Sequence, residues 1–526
     1  MLRKMRGRLS KMAQPIQTHS IAAPGFYGLN TQDSSLELSQ GYALVANNCV
    51  IDQYGRIGAR KGWTKAHPTL AALGTADVKV ITELIDRDGT SYTLCAGNNK
   101  IFKLSSGVLT EVTFNGVGTA PTITDSNWST AYLDGDLYFY QRGHVPIGFD
   151  PAASSTTYYR VDQEAGYNGT VQEANIVISA LGRIWNADTN TDKVTVQWSD
   201  LKNPHKFGSG TAGTLDTTEV WPKGGDTITA LAVHNNFLFI FGYRNILVYQ
   251  GANSPATMSL YDTITGIGCI ARDSVAVTGS DVIFLSETGV RSVLRTIQEK
   301  SAPLRDLSKN VRNDLMSAVA SEDKATIKAV YSPREAFYLL TLPVLKTVYC
   351  FDMKSTLQDG SARVTTWSNI EPKSFCYKSD GTLLIGKAGY IGTYTGYLDD
   401  TSSYRFQYFT NHTDLGAPSV TSVLKKLSAV VIGGANQYVT MKWGYDFTGN
   451  YYAQNAKIPA QGVAYFGVNE YNTANTVYSA GTALQTLVAY PTGAGKVIQT
   501  GYEADINGSA LSIQKLEIQA KNGKIV

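Results

Sequence analysis

Ile228–Tyr249 reads ITALAVHNNFLFIFGYRNILVY. An apolar strand leads into His234-Asn235-Asn236, residues that tolerate the positive φ of a tight hairpin turn. The next run, Phe237-Leu238-Phe239-Ile240-Phe241, is apolar at every position, so both faces of that strand need cover. A second polar turn at Tyr243-Arg244-Asn245 leads to a third strand, Ile246–Tyr249. Such a unit cannot stand alone in water. It must be packed between two others of its kind.

The rest of the chain supplies those neighbours. The same plan of apolar strand, polar turn, aromatic strand, turn and third strand recurs in Val80–Leu104, Ala131–Asp150, Ile178–Trp198, Val275–Leu294, Ile327–Asp352 and Phe375–Tyr397. Successive units start about 47 to 52 residues apart, a period that denotes a ring or array of supersecondary units. Asp88-Gly89, Asp134-Gly135 and Asp380-Gly381 put turn chemistry at matching points. The expected fold is all-β, with a β-propeller of about seven blades over residues 26–400. Six is the alternative, if one unit is split or lies outside the ring. A hairpin within 26–75, centred on Val45–Trp63 with its turn at Tyr54-Gly55, is expected to complete the last blade and remove two open sheet edges.

Two further segments depart from the repeat. Leu304–Val319 places Leu304, Leu307, Val311, Leu315 and Val319 near a 3.6-residue period, which predicts a helical insertion over 303–320. After residue 400, Ser419–Gln437, Tyr438–Phe447, Val463–Val468 and Leu511–Ala520 alternate polar and apolar residues between Thr/Gly/Asn-rich connections. Residues 401–526 therefore read as a separate β-sandwich-like domain.

Composition narrows the function. Of 526 residues, 43% are apolar, enough for a large core, and only 17% are charged. Lys+Arg 46 against Asp+Glu 43 leaves +3, which argues against a protein coated with nucleic acid over its whole surface. Residues 1–25 form a basic arm with Arg3, Lys4, Arg6, Arg8 and Lys11 in its first twelve positions. Ala13–Ser20 (AQPIQTHS) is not the apolar run that a secretory signal requires, so no signal peptide is expected. Nor is a membrane span, because no run of 18 apolar residues occurs. Cys49, Cys95, Cys269, Cys350 and Cys376 are odd in number and never in a C-x-x-C pair, so they are expected as buried small residues of strands in a reducing compartment.

Motifs with chemical content fail one by one. Gly266-Ile267-Gly268-Cys269-Ile270-Ala271 matches G-x-G-x-x-A, but a strand follows it where dinucleotide binding needs a helix. Asp188-x-Asn190-x-Asp192 opens like a calcium loop, yet its sixth position is Lys193 and its twelfth Ser199, which reads as a hairpin turn. Gly381 with Gly386-Lys387 is followed by Ala388, which lacks the hydroxyl a phosphate loop uses on magnesium. His19, His67, His144, His205, His234 and His412 show no zinc spacing. The pairs Asp86/Asp88 and Asp134/Asp136 flank hairpin turns, where Asp serves the backbone. They are also the acids a propeller glycosidase or lyase would use. No catalytic residue, metal or cofactor is expected. Basic residues that could face a polyanion or a partner subunit are Arg3, Lys4, Arg6, Arg8, Arg56, Arg60 and Lys61, with Arg291, Arg295, Lys425 and Lys426 further on.

Gly28-Leu29-Asn30-Thr31, Leu36–Ala43, Asn47–Val50 and Gly55-Arg56-Ile57-Gly58-Ala59-Arg60-Lys61-Gly62-Trp63 resemble the opening of tail proteins of short-tailed bacteriophages (podoviruses). Ser39 stands where those proteins usually have Pro. Ile267–Val275 together with Val282–Val290 is similar to the mid-propeller segment of the tail nozzle family, whose members stabilise packaged DNA. The resemblance covers about residues 25–400. It implies a structural, non-enzymatic protein of the virion tail, assembled in the host cytoplasm as a homo-hexamer below an adaptor ring. Its axial channel would retain DNA and conduct it during ejection, with non-specific contact to the genome. Tail fibre or needle proteins are further candidate partners. No functional residue carries over, because the family's motifs are structural. A sugar- or receptor-binding propeller on a virion surface is the alternative function.

Overall fold

Seven short strands, Val80–Ile85, Ser129–Leu133, Ile176–Ala180, Ile228–His234, Ala276–Val277, Lys328–Ser332 and Ser374–Tyr377, stand around one axis. Each touches the next in sequence, and the last touches the first, so the ring is closed. Each is also the inner strand of an antiparallel sheet. The chain is thus a seven-bladed β-propeller over Arg60–Ser402, with a second unit made of Met1–Ala59 and Ser403–Val526. The computed structural model describes residues 16–116, 118–222, 225–293, 306–416, 418–459, 462–463, 476–477 and 484–525.

The fourth blade shows why the repeat folds this way. Asn235 and Asn236 take φ of 49° and 64°, the left-handed pair that matches strand twist in a two-residue hairpin. Alternate residues of Phe237–Gly242 then point to opposite sides. Leu238 and Ile240 join Trp185, Val196 and Trp198 in the core shared with the third blade. Phe239 and Phe241 join Val282 and Phe284 in the core shared with the fifth. Each of these side chains contributes about 1.5–3 kcal/mol by leaving water, and neither face could do so without a neighbouring blade.

The last blade closes differently from expectation. Its own strands Ser374–Tyr377, Leu383–Gly386 and Ile391–Tyr394 leave one vacant outer edge, and the single strand Trp63–Lys65 fills it in antiparallel register, Trp63 opposite Tyr394. A hairpin there would expose a further edge. The hairpin Cys49–Ile51/Ile57–Ala59 instead joins the other unit, where Ile57 and Gly58 pair with Ile513 and Ser512. Residues 26–59 therefore lie outside the propeller, and its boundary at the other end falls at Ser402–Ser403. Gly62 marks the entry to the closing strand, since a Cβ there would lie 1.8 Å from the Leu398 carbonyl oxygen.

The fifth blade has three strands among the described residues. Leu307 N–H donates to the Val290 carbonyl, and Ser308 Oγ accepts from Val290 N–H at 3.0 Å, covering the outer edge of this blade. The helix spans Arg312–Ala320 rather than the expected 303–320, because Asp306–Ser308 is committed to that edge. Leu307, Val311, Leu315 and Val319 are buried as their spacing predicts, and Leu304 lies outside the described residues.

Among the described residues, the second unit has two large, mainly antiparallel sheets and a short parallel pair, Gly462–Val463 with Thr476–Val477. One orders Leu484–Ala489, Val420–Gly433, Leu511–Ile525, Ile57–Ala59 and Cys49–Ile51. The other contains Tyr42–Asn47, Tyr404–Thr410, Ile498–Ile506, Tyr438–Tyr445 and Tyr451–Lys457 in that order. The chain changes sheets at Asn48, whose φ is 55° and whose Nδ2 donates to the Arg405 carbonyl at 2.7 Å. Ile16–Ala22, expected within the basic arm, is a strand paired along Leu511–Ile525. The expected strand Val463–Val468 lies mostly outside the described residues.

Candidate functional site

Inner strands of all seven blades enclose a cavity of about 430 Å³, the propeller's own channel. Its walls are mostly small and aliphatic residues, Ile176 to Ala180 and Ala230 to Val233 among them. At one end they give way to a charged network. Arg272 donates from Nε and Nη2 to the two Asp273 carboxylate oxygens, both at 2.8 Å. Arg272 Nη1 donates to Asn175 Oδ1 at 2.8 Å and to the Asn175 carbonyl, and Nη2 also reaches the Trp128 carbonyl. Lys328 Nζ donates to Asp273 Oδ2 and to Asn127 Oδ1, each at 2.5 Å. Blades two, five and six thus meet on one carboxylate, and blade three joins them through Asn175 and Arg272.

Burial by itself would raise the Asp273 carboxyl, but the charges of Arg272 and Lys328 overturn that and hold it well below the usual range. Burial pulls the Lys328 ammonium below an ordinary lysine, and Arg272 adds to the effect while Asp273 opposes it. One anion between two cations leaves the network positive.

Beyond this network lies a second, open cavity of about 580 Å³. Arg272 lines both spaces, so the network stands at their boundary. Arg142, Lys193 and Lys324 also line the outer basin, with Asp188 as its carboxylate. Asp188 pairs with Arg142 and, at 2.9 Å, with Lys193. Asn175 Nδ2 donates to Asp188 at 2.8 Å and so links the basin to the inner network.

Arg3, Lys4, Arg6, Arg8 and Lys11 lie outside the described residues, as does Arg295. Arg60, expected to face a polyanion or partner, is fully buried. Its guanidinium meets Asp399 in a fork at 2.8 and 2.7 Å and donates to the Ser368 carbonyl at 3.0 Å. A buried bidentate pair positions the chain before its closing strand and has no reach to a ligand. Arg56 pairs with Asp52 at 2.5 Å and stacks over Tyr54, while Lys61 pairs with Glu335. Arg291 is buried beside Asp306, 3.8 Å away.

Asp86, Asp88 and Asp134 serve turns. Asp86 Oδ1 accepts from Arg87 N–H, Asp88 Oδ1 from Thr90 N–H, and Asp134 sits at φ 59°. Asp136 departs from that reading. Its Oδ2 accepts from Tyr159 OH at 2.9 Å and Tyr138 OH at 3.1 Å, and both phenols lie 3.3 Å from His205 Nε2. Burial raises the Asp136 carboxyl to about 6 and lowers the His205 imidazole to about 4. Asp188–Asp192 is a hairpin turn, with Asp192 Oδ1 accepting from the N–H groups of Val194 and Thr195. Gly266–Ala271 is followed by a single 3-10 turn, Arg272–Ser274, and then strand Ala276–Val277, in place of the α-helix that dinucleotide binding needs. Among the described residues, no three His, Cys, Asp or Glu side chains group as metal ligands. No helix among them is long and apolar enough to cross a membrane.

Arg272 and Asp273 lie within Ile267–Val275, but nothing in that stretch of sequence shows their role. The one sequence signal is a charged dipeptide entering an inner strand. Nothing in sequence joins it to Asn127, Asn175 or Lys328.

No protein-family model matches the chain, and no curated protein matches it. Solved structures similar to it include the WD40 β-propeller domain of Doa1, at 15% identity over 63% of this chain and 96% of that one, TM-score 0.38. The Neurospora crassa Pan2 WD40 domain is 9% identical over 64% of this chain and 95% of that one, TM-score 0.36. PorZ, a bacterial surface component of the type-IX secretion system of Porphyromonas gingivalis, is 11% identical over 63% of this chain, TM-score 0.35, and the match spans 37% of PorZ. The closed ring of seven blades places this chain in the class of the β-propellers.

Proposed function

We propose that this chain is a structural component of a bacteriophage tail, a nozzle subunit that forms a homo-hexameric ring on an adaptor. The observation that carries the reading is how the motif residues are used. Gly62 and Trp63 form the closure of the last blade, Arg60 is locked on Asp399 beside it, and Arg272-Asp273 bars the channel. Those residues serve architecture, which fits a protein whose work is done by an assembled tube. A duplex whose major groove alone is about 12 Å wide finds no passage through a cavity of about 430 Å³. DNA would travel along a lumen between subunits, held by non-specific contacts, and a ring of heterologous contacts supplies such a lumen.

The test is assembly. Purified chain mixed with adaptor–portal complex should give rings of six by electron microscopy. A chain that stays monomeric and leaves the adaptor bare refutes the proposal. A glycan array separates the alternative, because a nozzle should bind no sugar.

A further inference from the structure

The outer basin presents four cations, Arg142, Lys193, Arg272 and Lys324, against one lining carboxylate, Asp188. They come from blades two, three, five and six. The acids Asp192 and Asp323 direct carboxylate oxygens to backbone N–H groups of their own loops, and Asp226 to those of Thr227, Tyr243 and Arg244. Arg272 has all its N–H directions occupied and contributes charge alone. The other three keep donors in reserve. Arg142 bonds Asp188 through Nη2, and its side chain is 41% exposed. Lys193 uses two of three N–H groups, on Asp188 and the Thr189 carbonyl. Lys324 uses two, on the Val319 and Glu322 carbonyls. Thr227 and Ser126 add hydroxyls to the lining.

We infer that this basin binds a phosphate group, as the free anion or as a small monoester. Donors approach from several blades, which suits a tetrahedral oxyanion better than a planar carboxylate. A volume of about 580 Å³ exceeds a lone phosphate and leaves room for an organic substituent. The site is independent of the virion reading, since it needs only the folded propeller. The bound anion would balance the positive network below it and join blades two, three and six through one ligand.

The experiment is calorimetric titration of the full chain with inorganic phosphate and, separately, with a nucleoside 5′-monophosphate, at ionic strength held constant with chloride. Saturable binding of either supports the site, and the tighter of the two identifies the source. Arg142→Gln and Lys324→Gln should each weaken binding about tenfold, the value of one charge-assisted hydrogen bond, and Arg142→Lys should restore part of the loss. Circular dichroism identifies any variant that has lost its fold. No saturable heat with either ligand, or parent-level affinity in both Gln variants, overturns the inference.

Discussion

Replacing Asp273 by Asn removes the one negative charge from a junction of four blades and leaves Arg272 and Lys328 facing each other. The carboxylate accepts four hydrogen bonds, at 2.8 and 2.8 Å from Arg272, 2.5 Å from Lys328 and 3.1 Å from Asn127. A carboxamide offers one acceptor oxygen and turns an NH₂ group towards donors. At least two charge-assisted bonds are lost, each worth about 1.5–3 kcal/mol, and unpaired buried charge brings the expected cost to about 3–5 kcal/mol. At an m-value of about 3 kcal/mol per M urea, the unfolding midpoint should fall by about 1 M or more. Tryptophan fluorescence reports it, since Trp128 lies against the network. Adding Lys328→Met to Asp273→Asn should recover part of the loss, because a neutralised site costs less than a broken pair. Acid provides a second readout. A carboxyl held below its unfolded value of about 3.9 stabilises fully above that pH and loses its contribution as pH falls towards the folded value. The parent protein should therefore weaken below about pH 4 through this group, and Asp273→Asn should lack that component. A midpoint unchanged within about 0.2 M, or a double variant no better than the single, refutes the account.

Trp63→Ala should cost about 3–5 kcal/mol, read as a lower urea midpoint and faster proteolysis, because Trp63 is the buried anchor of the strand closing the ring. The Asp136 and His205 pair should make stability nearly flat between pH 4 and 6. The raised Asp136 carboxyl loses stability as pH rises through this window, the lowered His205 imidazole gains it, and each slope is at most about 1.4 kcal/mol per pH unit. Asp136→Asn should then show stability rising with pH, and His205→Asn falling, in denaturation series at fixed ionic strength. The five cysteines should resist a thiol reagent in the native state and react in denaturant, because burial pushes Cys95 and Cys376 to about 12 and Cys269 to about 11 and raises Cys49 and Cys350 as well. Four of them are strand residues, whereas Cys269 sits in the loop before Arg272–Ser274.

The sequence by itself determined the ring. A strand such as Phe237–Gly242, apolar at every position, has no stable place except between two sheets, and recurrence of that pattern at a nearly fixed interval leaves circular stacking as the answer. Hairpin turns were legible for the same reason, because Asn235-Asn236 and Asp134-Gly135 carry their backbone preference within two residues. The tertiary structure decided whatever depended on distant partners. Arg60 reads as a free cation until Asp399, far along the chain, closes on it. The Cys49–Ala59 hairpin reads as a latch until Leu511–Ile525 offers it a longer edge. Lys328 and Arg272 become one site only because consecutive blades bring their inner strands to the same axis. Local propensity is set by neighbours in the chain, whereas the pairing of buried charges and free strand edges is settled by geometry that exists only once the ring has closed.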